Sequence, residues 1–174
     1  MKNVVLIGFM GVGKSTCGRA IANHLGYRFI DMDRAIEEKW GMSIPQMFKQ
    51  HGEAFFRQKE KEMARRLASK KHVVISTGGG TVKDAENVAI LRSTGKIICL
   101  QASVDVLMAR LARRGRRPVL DAKEAELGSR RKAIEALLEE RKSLYECADY
   151  YVNSGDQSGL EVAHQVADFM RKNK

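Results

Sequence analysis

Short runs of β-branched and aliphatic residues alternate along this chain with longer stretches whose apolar positions recur at helical spacing. The runs predict strands at Val4–Ile7, Arg28–Asp31, Val73–Thr77, Lys96–Gln101 and Tyr150–Asn153. In Val73-Val74-Ile75 and Ile97-Ile98-Cys99-Leu100 successive residues are apolar, so both faces of those strands need a cover. A parallel strand between two helical layers has that requirement, and the alternation of strand and helix predicts a three-layer α/β fold around a parallel sheet.

Helix starts follow from their caps. Ser43-Ile44-Pro45-Gln46 has the form of a capping box with proline in the first turn, and Ser103 or Asp105 can open a helix ending near Arg113. Asp33 can cap a helix over Arg34–Trp40. Val162, Val166 and Met170 form an i, i+4 stripe that belongs to a core. Between Arg113 and Lys123, Gly115, Pro118 and four arginines break the helical period, which predicts a mobile connection.

Composition narrows the setting. The 174 residues carry 31 Lys and Arg against 21 Asp and Glu, a net charge of +10, with 44% apolar residues and 2 Pro. This excludes collagen-like, low-complexity and wholly disordered chains, and the length suffices for one domain whose core needs neither disulfide nor metal. Cys17, Cys99 and Cys147 are odd in number and lack zinc-ligand spacing, so core thiols in a reducing compartment are expected. Lys2 and the apolar Val4 to Phe9 have the outline of a signal peptide, but Lys14 interrupts the run and no small-residue cleavage site follows. No stretch approaches the ~20 apolar residues of a membrane span. The expectation is a cytoplasmic protein, and, without a heptad repeat, a monomer.

Chemistry begins directly after the first strand. Gly8-Phe9-Met10-Gly11-Val12-Gly13-Lys14-Ser15 satisfies G-x-x-x-x-G-K-[ST], and a helical pattern leads out of it to Leu25 and Gly26. Glycines let the backbone approach a ligand, so that successive N–H groups converge on phosphate oxygens at a helix N-terminus. Lys14 adds a full charge for the β- and γ-phosphates, and the Ser15 hydroxyl can ligate Mg²⁺. Nucleotide binding by Gly11, Val12, Gly13, Lys14, Ser15 and Thr16 follows; the acceptor does not.

Other segments bear on the acceptor. Asp31 and Asp33 stand at i, i+2 where the second strand ends, and parallel strands present their carboxyl ends to the ligand crevice. One carboxylate can serve Mg²⁺ while the other orients or deprotonates a hydroxyl. Gly78-Gly79-Gly80 follows the third strand and exposes backbone N–H groups, although a plain tight turn has the same composition. In the helix-rich insert Glu37–Leu67, Arg57 beside Phe55 and Phe56 can clamp a carboxylate, or else pair on the surface with Glu53, Glu60 or Glu62.

Together these residues resemble the shikimate kinase family, small P-loop kinases that phosphorylate the 3-hydroxyl of shikimate with ATP. The resemblance spans essentially the whole chain. It rests on Gly8–Ser15, Asp31-x-Asp33, Gly52-Glu53 with Phe56-Arg57, Gly78-Gly79-Gly80, Arg117-Pro118-Val119-Leu120, and Arg141 before Leu144-Tyr145, in the family's order. It implies a nucleoside-monophosphate-kinase type of fold with strand order 2-3-1-4-5. It further implies one kinase domain over residues 1–174, with an acceptor-binding insert at about 32–67 and a lid at about 113–123. Lys14 would contact the transferred phosphate, and Ser15 would hold Mg²⁺ with help from Asp31. Asp33 would bind the shikimate hydroxyls and act as base. Arg57 and Arg141 would grip the substrate carboxylate, and Gly79 and Gly80 would contact ring substituents. Arg117 would be the arginine closing over the phosphates, with its neighbour Arg116 the other candidate, and Arg110 and Gln157 would lie on the adenine side.

Two other readings stay open on the sequence. A P-loop kinase acting on gluconate or a nucleoside monophosphate shares the first loop, although two arginines favour a carboxylated acceptor. A nucleic-acid-binding module is suggested by charge alone, against which stand one Trp and the lack of any recognition motif.

Overall fold

A computed structural model of the chain describes residues 1–112 and 117–174. Five strands, β1 (Asn3–Gly8), β2 (Arg28–Asp31), β3 (Val73–Ser76), β4 (Gly95–Gln101) and β5 (Tyr150–Asn153), form one parallel sheet in the order β2-β3-β1-β4-β5. The α/β class, the parallel sheet and the order implied by resemblance all hold. Strand boundaries fall within a residue of those expected, because continuous apolar runs leave little choice of register.

The pleat divides the core in two. Val4 and Leu6 of β1 face one layer, where they meet Ile21 of α1 (Lys14–Leu25), Leu107 of α6 (Val104–Leu111), Ile134 of α8 (Arg130–Arg141) and Val166 of α9 (Gly159–Lys172). Val5 and Ile7 face the other, against Ile36 of α2 (Met32–Trp40), Met47 of α3 (Ile44–His51), Leu67 of α4 (Glu53–Ala68) and Leu91 of α5 (Ala85–Arg92). These side chains are at most 2% exposed, and each contributes roughly 1.5–3 kcal/mol through burial. The stripe Val162, Val166 and Met170 lies in the first of these cores, and Cys17 and Cys99 are buried thiols, whereas Cys147 is half-buried.

Two local expectations need correction. The cap of α2 is Asp31, whose carboxylate accepts from the Arg34 N–H at 3.2 Å, while Asp33 sits inside the first turn. The helix starts two residues earlier than expected, so the capping position moves with it. Downstream, Pro118–Lys123 is not irregular: it opens α7 (Pro118–Leu127), with proline in the first turn where its missing N–H does no harm. Arg113–Arg116, including the expected end of α6 and the first four residues of the expected lid, lie outside the described residues. Ser43 forms the expected capping box with Gln46, and Ser103, not Asp105, caps α6.

β1 has β3 on one side and β4 on the other, so chain connections leave it in opposite directions. The crevice of an open parallel sheet opens at the carboxyl end of such a strand, and Gly8 to Ser15 occupies that place.

Candidate active site

The first loop is shaped by backbone conformation. Gly8, Gly11 and Gly13 have φ of +148°, +85° and +93°, which L side chains rarely adopt. At Gly8 a Cβ would also lie 2.7 Å from the Leu100 carbonyl oxygen, so the turn out of β1 admits no side chain. Gly13 is the N-cap of α1 and offers no side-chain acceptor, whereas α2, α3, α5, α6, α8 and α9 are capped by Asp or Ser. The first-turn N–H groups of α1 are thus left for a ligand, at the positive end of the helix dipole.

The loop is braced from behind. Ser154, 1% exposed, donates its hydroxyl to the Val12 carbonyl at 2.6 Å. Arg110 donates to the Gly11 carbonyl at 3.0 Å and to the Ser154 carbonyl at 2.8 Å, joining the loop to the end of β5. Lys14 Nζ folds back on the Gly8 carbonyl at 2.5 Å. Burial and the neighbouring Arg141 guanidinium pull the Lys14 ammonium down to about 8.

Around this loop lies a cavity of about 1010 Å³. Its wall includes Gly11–Thr16, Asp31, Asp33, Gly78, Gly79, Arg110, Arg117, Arg141 and Gln157, bringing most of the expected site residues to one place. Burial, then the Asp31 charge, push the Asp33 carboxyl up to about 6, above its ordinary 3.8. The Arg141 guanidinium lies 5.4 Å from the centre of the Phe9 ring. Gln157 donates to the Asn153 carbonyl at 2.6 Å, and the Arg117 N–H donates to the Asp121 carboxylate at 3.1 Å.

Arg57 and Gly80 are not in that wall, but the three-glycine loop connects them to it. A Cβ on Gly78 would collide with the Asp33 carboxylate, and one on Gly80 would lie 2.6 Å from an Arg57 nitrogen. One side of the loop is therefore flush with the carboxylate and the other with the guanidinium. Of the three expected partners Arg57 pairs with two, Glu53 at 3.3 Å and Glu60 at 3.0 Å, while Glu62 pairs with Lys59, and the Arg57 guanidinium also lies 5.2 Å from the centre of the Phe56 ring. Phe56 is core, and Phe48, 38% exposed, packs its ring against it.

Glu60 and Thr81 were not among the residues singled out for the site. Glu60 is 1% exposed and accepts from Thr81 Oγ1 at 3.0 Å, and the same Thr81 oxygen accepts from the Gly78 N–H at 3.1 Å. A continuous chain of hydrogen bonds thus runs from the glycine loop through Thr81 and Glu60 to Arg57. The i, i+3 spacing of Arg57 and Glu60 was the only sequence signal for it; Thr81 and Ser154 gave none.

The arrangement can hold a polyphosphate on main-chain amides beside a lysine and a carboxylate. A divalent ion fits the donor set, because Ser15, Asp31 and Asp33 supply only oxygen and leave most coordination positions to phosphate and water, as Mg²⁺ prefers.

Comparison with known proteins accords with this geometry. The family model for shikimate kinase matches residues 10–171. A shikimate kinase of Caldanaerobacter subterraneus subsp. tengcongensis is 41% identical over 166 residues, 95% of this chain and 94% of that protein. One of Thermodesulfovibrio yellowstonii is 42% identical over 95% of this chain and 93% of that protein. Among solved structures, shikimate kinase from Acinetobacter baumannii in complex with shikimate superposes with a TM-score of 0.86 at 33% identity, covering 100% of this chain and 95% of that one.

Proposed function

This chain belongs to the shikimate kinase family, and from that premise we propose that it transfers the terminal phosphoryl group of ATP to the 3-hydroxyl of shikimate, giving shikimate 3-phosphate and ADP. The observation that carries the assignment of roles is the single cavity shared by the phosphate loop, Asp33 and Arg141, with Arg57 tied to its glycine wall.

The phosphates of ATP rest on the N–H groups of Gly11 to Thr16, and Lys14 places its charge between the β- and γ-phosphoryl groups. Arg57 and Arg141 take the shikimate carboxylate, fixing the ring so that its alcohol faces the γ-phosphorus. Gly79 and Gly80 let ring substituents approach the backbone. Asp33 accepts the hydrogen bond of the 3-hydroxyl and receives its proton. The alcohol oxygen forms its bond to phosphorus as the bond from phosphorus to the β,γ-bridging oxygen breaks, and that oxygen leaves with the electron pair on ADP. The transition state is loose, so positioning and charge carry most of the acceleration.

Ser15 and Asp31 would hold Mg²⁺, which supplies further positive charge for the phosphate oxygens. Arg117 approaches the phosphates from the segment at about 113–123, which acts as a lid, with Arg116 its alternative. Arg110 and Gln157 flank the adenine. We assign residues 1–174 to one kinase domain, the acceptor-binding insert to about 32–67, and a monomeric, cytoplasmic state. Among the described residues no helix is long and apolar enough to cross a membrane.

The test is an acceptor panel read by ADP release. Shikimate should be preferred over gluconate and over nucleoside monophosphates. A faster rate with either competitor would reject the assignment.

A further inference from the structure

At the outer edge of the sheet, beyond β2, lies a second concavity of about 640 Å³, within the range of small-molecule sites. Arg19 of α1, Arg28 of β2, Arg66 of α4 and Lys70 after it converge on it. Among the described residues none of these four makes an ion pair. Lys39 also lines the cleft without an ion pair among the described residues, its ammonium 5.9 Å from the centre of the Trp40 ring, and the acidic side chains of the wall are Asp31 and Glu38. Arg34 pairs with Glu38 at 3.2 Å, and on α4 Lys59 pairs with Glu62 and Lys61 with Asp84, so a uniformly solvated basic face does not describe this surface.

We propose that this cleft is an accessory anion site that takes a compact ligand bearing two or more phosphoryl groups. Five unpaired cations around one cavity repel each other within a Debye length, and a polyanion relieves them together. Three of the five are guanidinium groups, whose planar forks match phosphate oxygens two at a time. Arg19 is already held in place, its guanidinium 4.9 Å from the centre of the Phe29 ring, so little rotamer freedom is lost when it binds. Asp31, which also lines the active-site cavity, closes the cleft on that side, so the two sites share a wall but not their cations. β2 is an edge strand, and an acidic extended peptide could add to it; the convergence of the cations on one concavity and the fork geometry favour the small polyphosphate.

The experiment is calorimetry of inorganic tripolyphosphate added to protein saturated with ADP in magnesium-free buffer, comparing the parent with Arg28→Gln/Arg66→Gln. The parent should bind about one tripolyphosphate per ADP-loaded chain. The double variant should bind it at least about tenfold more weakly, since two charge-assisted contacts are lost. Its ADP isotherm should match the parent within about twofold, which reports that fold and phosphate loop are intact. The proposal is overturned by no saturable binding to the ADP-loaded parent or by equal affinity in the double variant. Tighter binding of a poly-glutamate peptide than of tripolyphosphate would also overturn it, in favour of strand addition.

Discussion

Gly80→Ala isolates the role of Arg57 without touching Arg57 itself. The backbone at Gly80 has φ −109°, which alanine adopts freely, so the substitution adds a methyl group and no strain. That methyl would lie 2.6 and 2.7 Å from the two terminal Arg57 nitrogens. Ordinary contact requires the guanidinium to retreat by roughly 1 Å. The retreat is resisted, because one nitrogen is held by the buried Glu60 at 3.0 Å and Glu60 is fixed by Thr81 at 3.0 Å. A fork displaced that far loses at least one charge-assisted bond to the acceptor carboxylate, about 1.5–3 kcal/mol. The KM for shikimate should therefore rise roughly 10–100-fold, with a smaller change in kcat. Gly79→Ala is the comparison. Its methyl would meet no atom within 4 Å, so the empty protein should keep its thermal midpoint whatever the methyl does to ligand. Initial rates against shikimate concentration decide the matter. A Gly80→Ala enzyme whose KM stays within about twofold of the parent would mean that Arg57 does not touch the acceptor.

Two further outcomes follow from the charges in the cavity. Asp33→Asn should lower kcat by about 10²–10⁴-fold while leaving the thermal midpoint at neutral pH unchanged or higher, since the α2 cap is Asp31 and the lost carboxylate was held against burial. Activity retained with a lower midpoint would return Asp33 to a structural role. The pH dependence of kcat/KM for ATP should be bell-shaped: it rises as Asp33 ionises at about 6 and falls as Lys14 loses its proton at about 8 in the free enzyme. A flat profile across both values would refute these protonation states.

Much of this site was legible in the chain because its parts are local. A phosphate loop is written in eight consecutive residues, and the strand before it and the helix after it are set by neighbours in sequence. The five strands were legible for a related reason: runs such as Ile97-Ile98-Cys99-Leu100 can be buried on both faces only in a covered parallel sheet. What the pattern could not convey depends on contacts between distant segments. Ser154 reaches Val12 across 142 positions, and Thr81 reaches Glu60 across 21, yet neither serine nor threonine stands out where it occurs. The cap of α2 failed for a subtler reason. Asp31 and Asp33 both have the chemistry of a cap, and only the point at which β2 turns into the helix decides between them. Arg57 shows a different limit, because the ion-pair reading holds and yet does not take the guanidinium away from the glycine loop. Its ion pairs with Glu53 and Glu60 are the means by which it is held against the glycine loop.

Two charges of the cavity, on Asp33 and Lys14, are each disfavoured in the empty fold. Asp33 titrates above its ordinary value, so the folded chain holds the extra proton between about 3.8 and 6, and stability declines as pH rises through that window. Lys14 titrates below its ordinary value, so the folded chain holds fewer protons between about 8 and 10.5, and stability is recovered only as pH rises through that higher window. Between the two windows both groups are charged and both oppose folding, by roughly 2–3 kcal/mol each once partial solvent access is allowed for. Burial is the leading cause for both, which means the closed walls that make the charges effective also make them unfavourable. In the proposed mechanism, phosphate oxygens beside Lys14 and a hydroxyl beside Asp33 would supply the partners that burial removed. On that mechanism the two substrates would complete an electrostatic arrangement that the fold alone leaves unbalanced, and the buried hydrogen bonds through Ser154, Thr81 and Glu60 hold that arrangement in place without them.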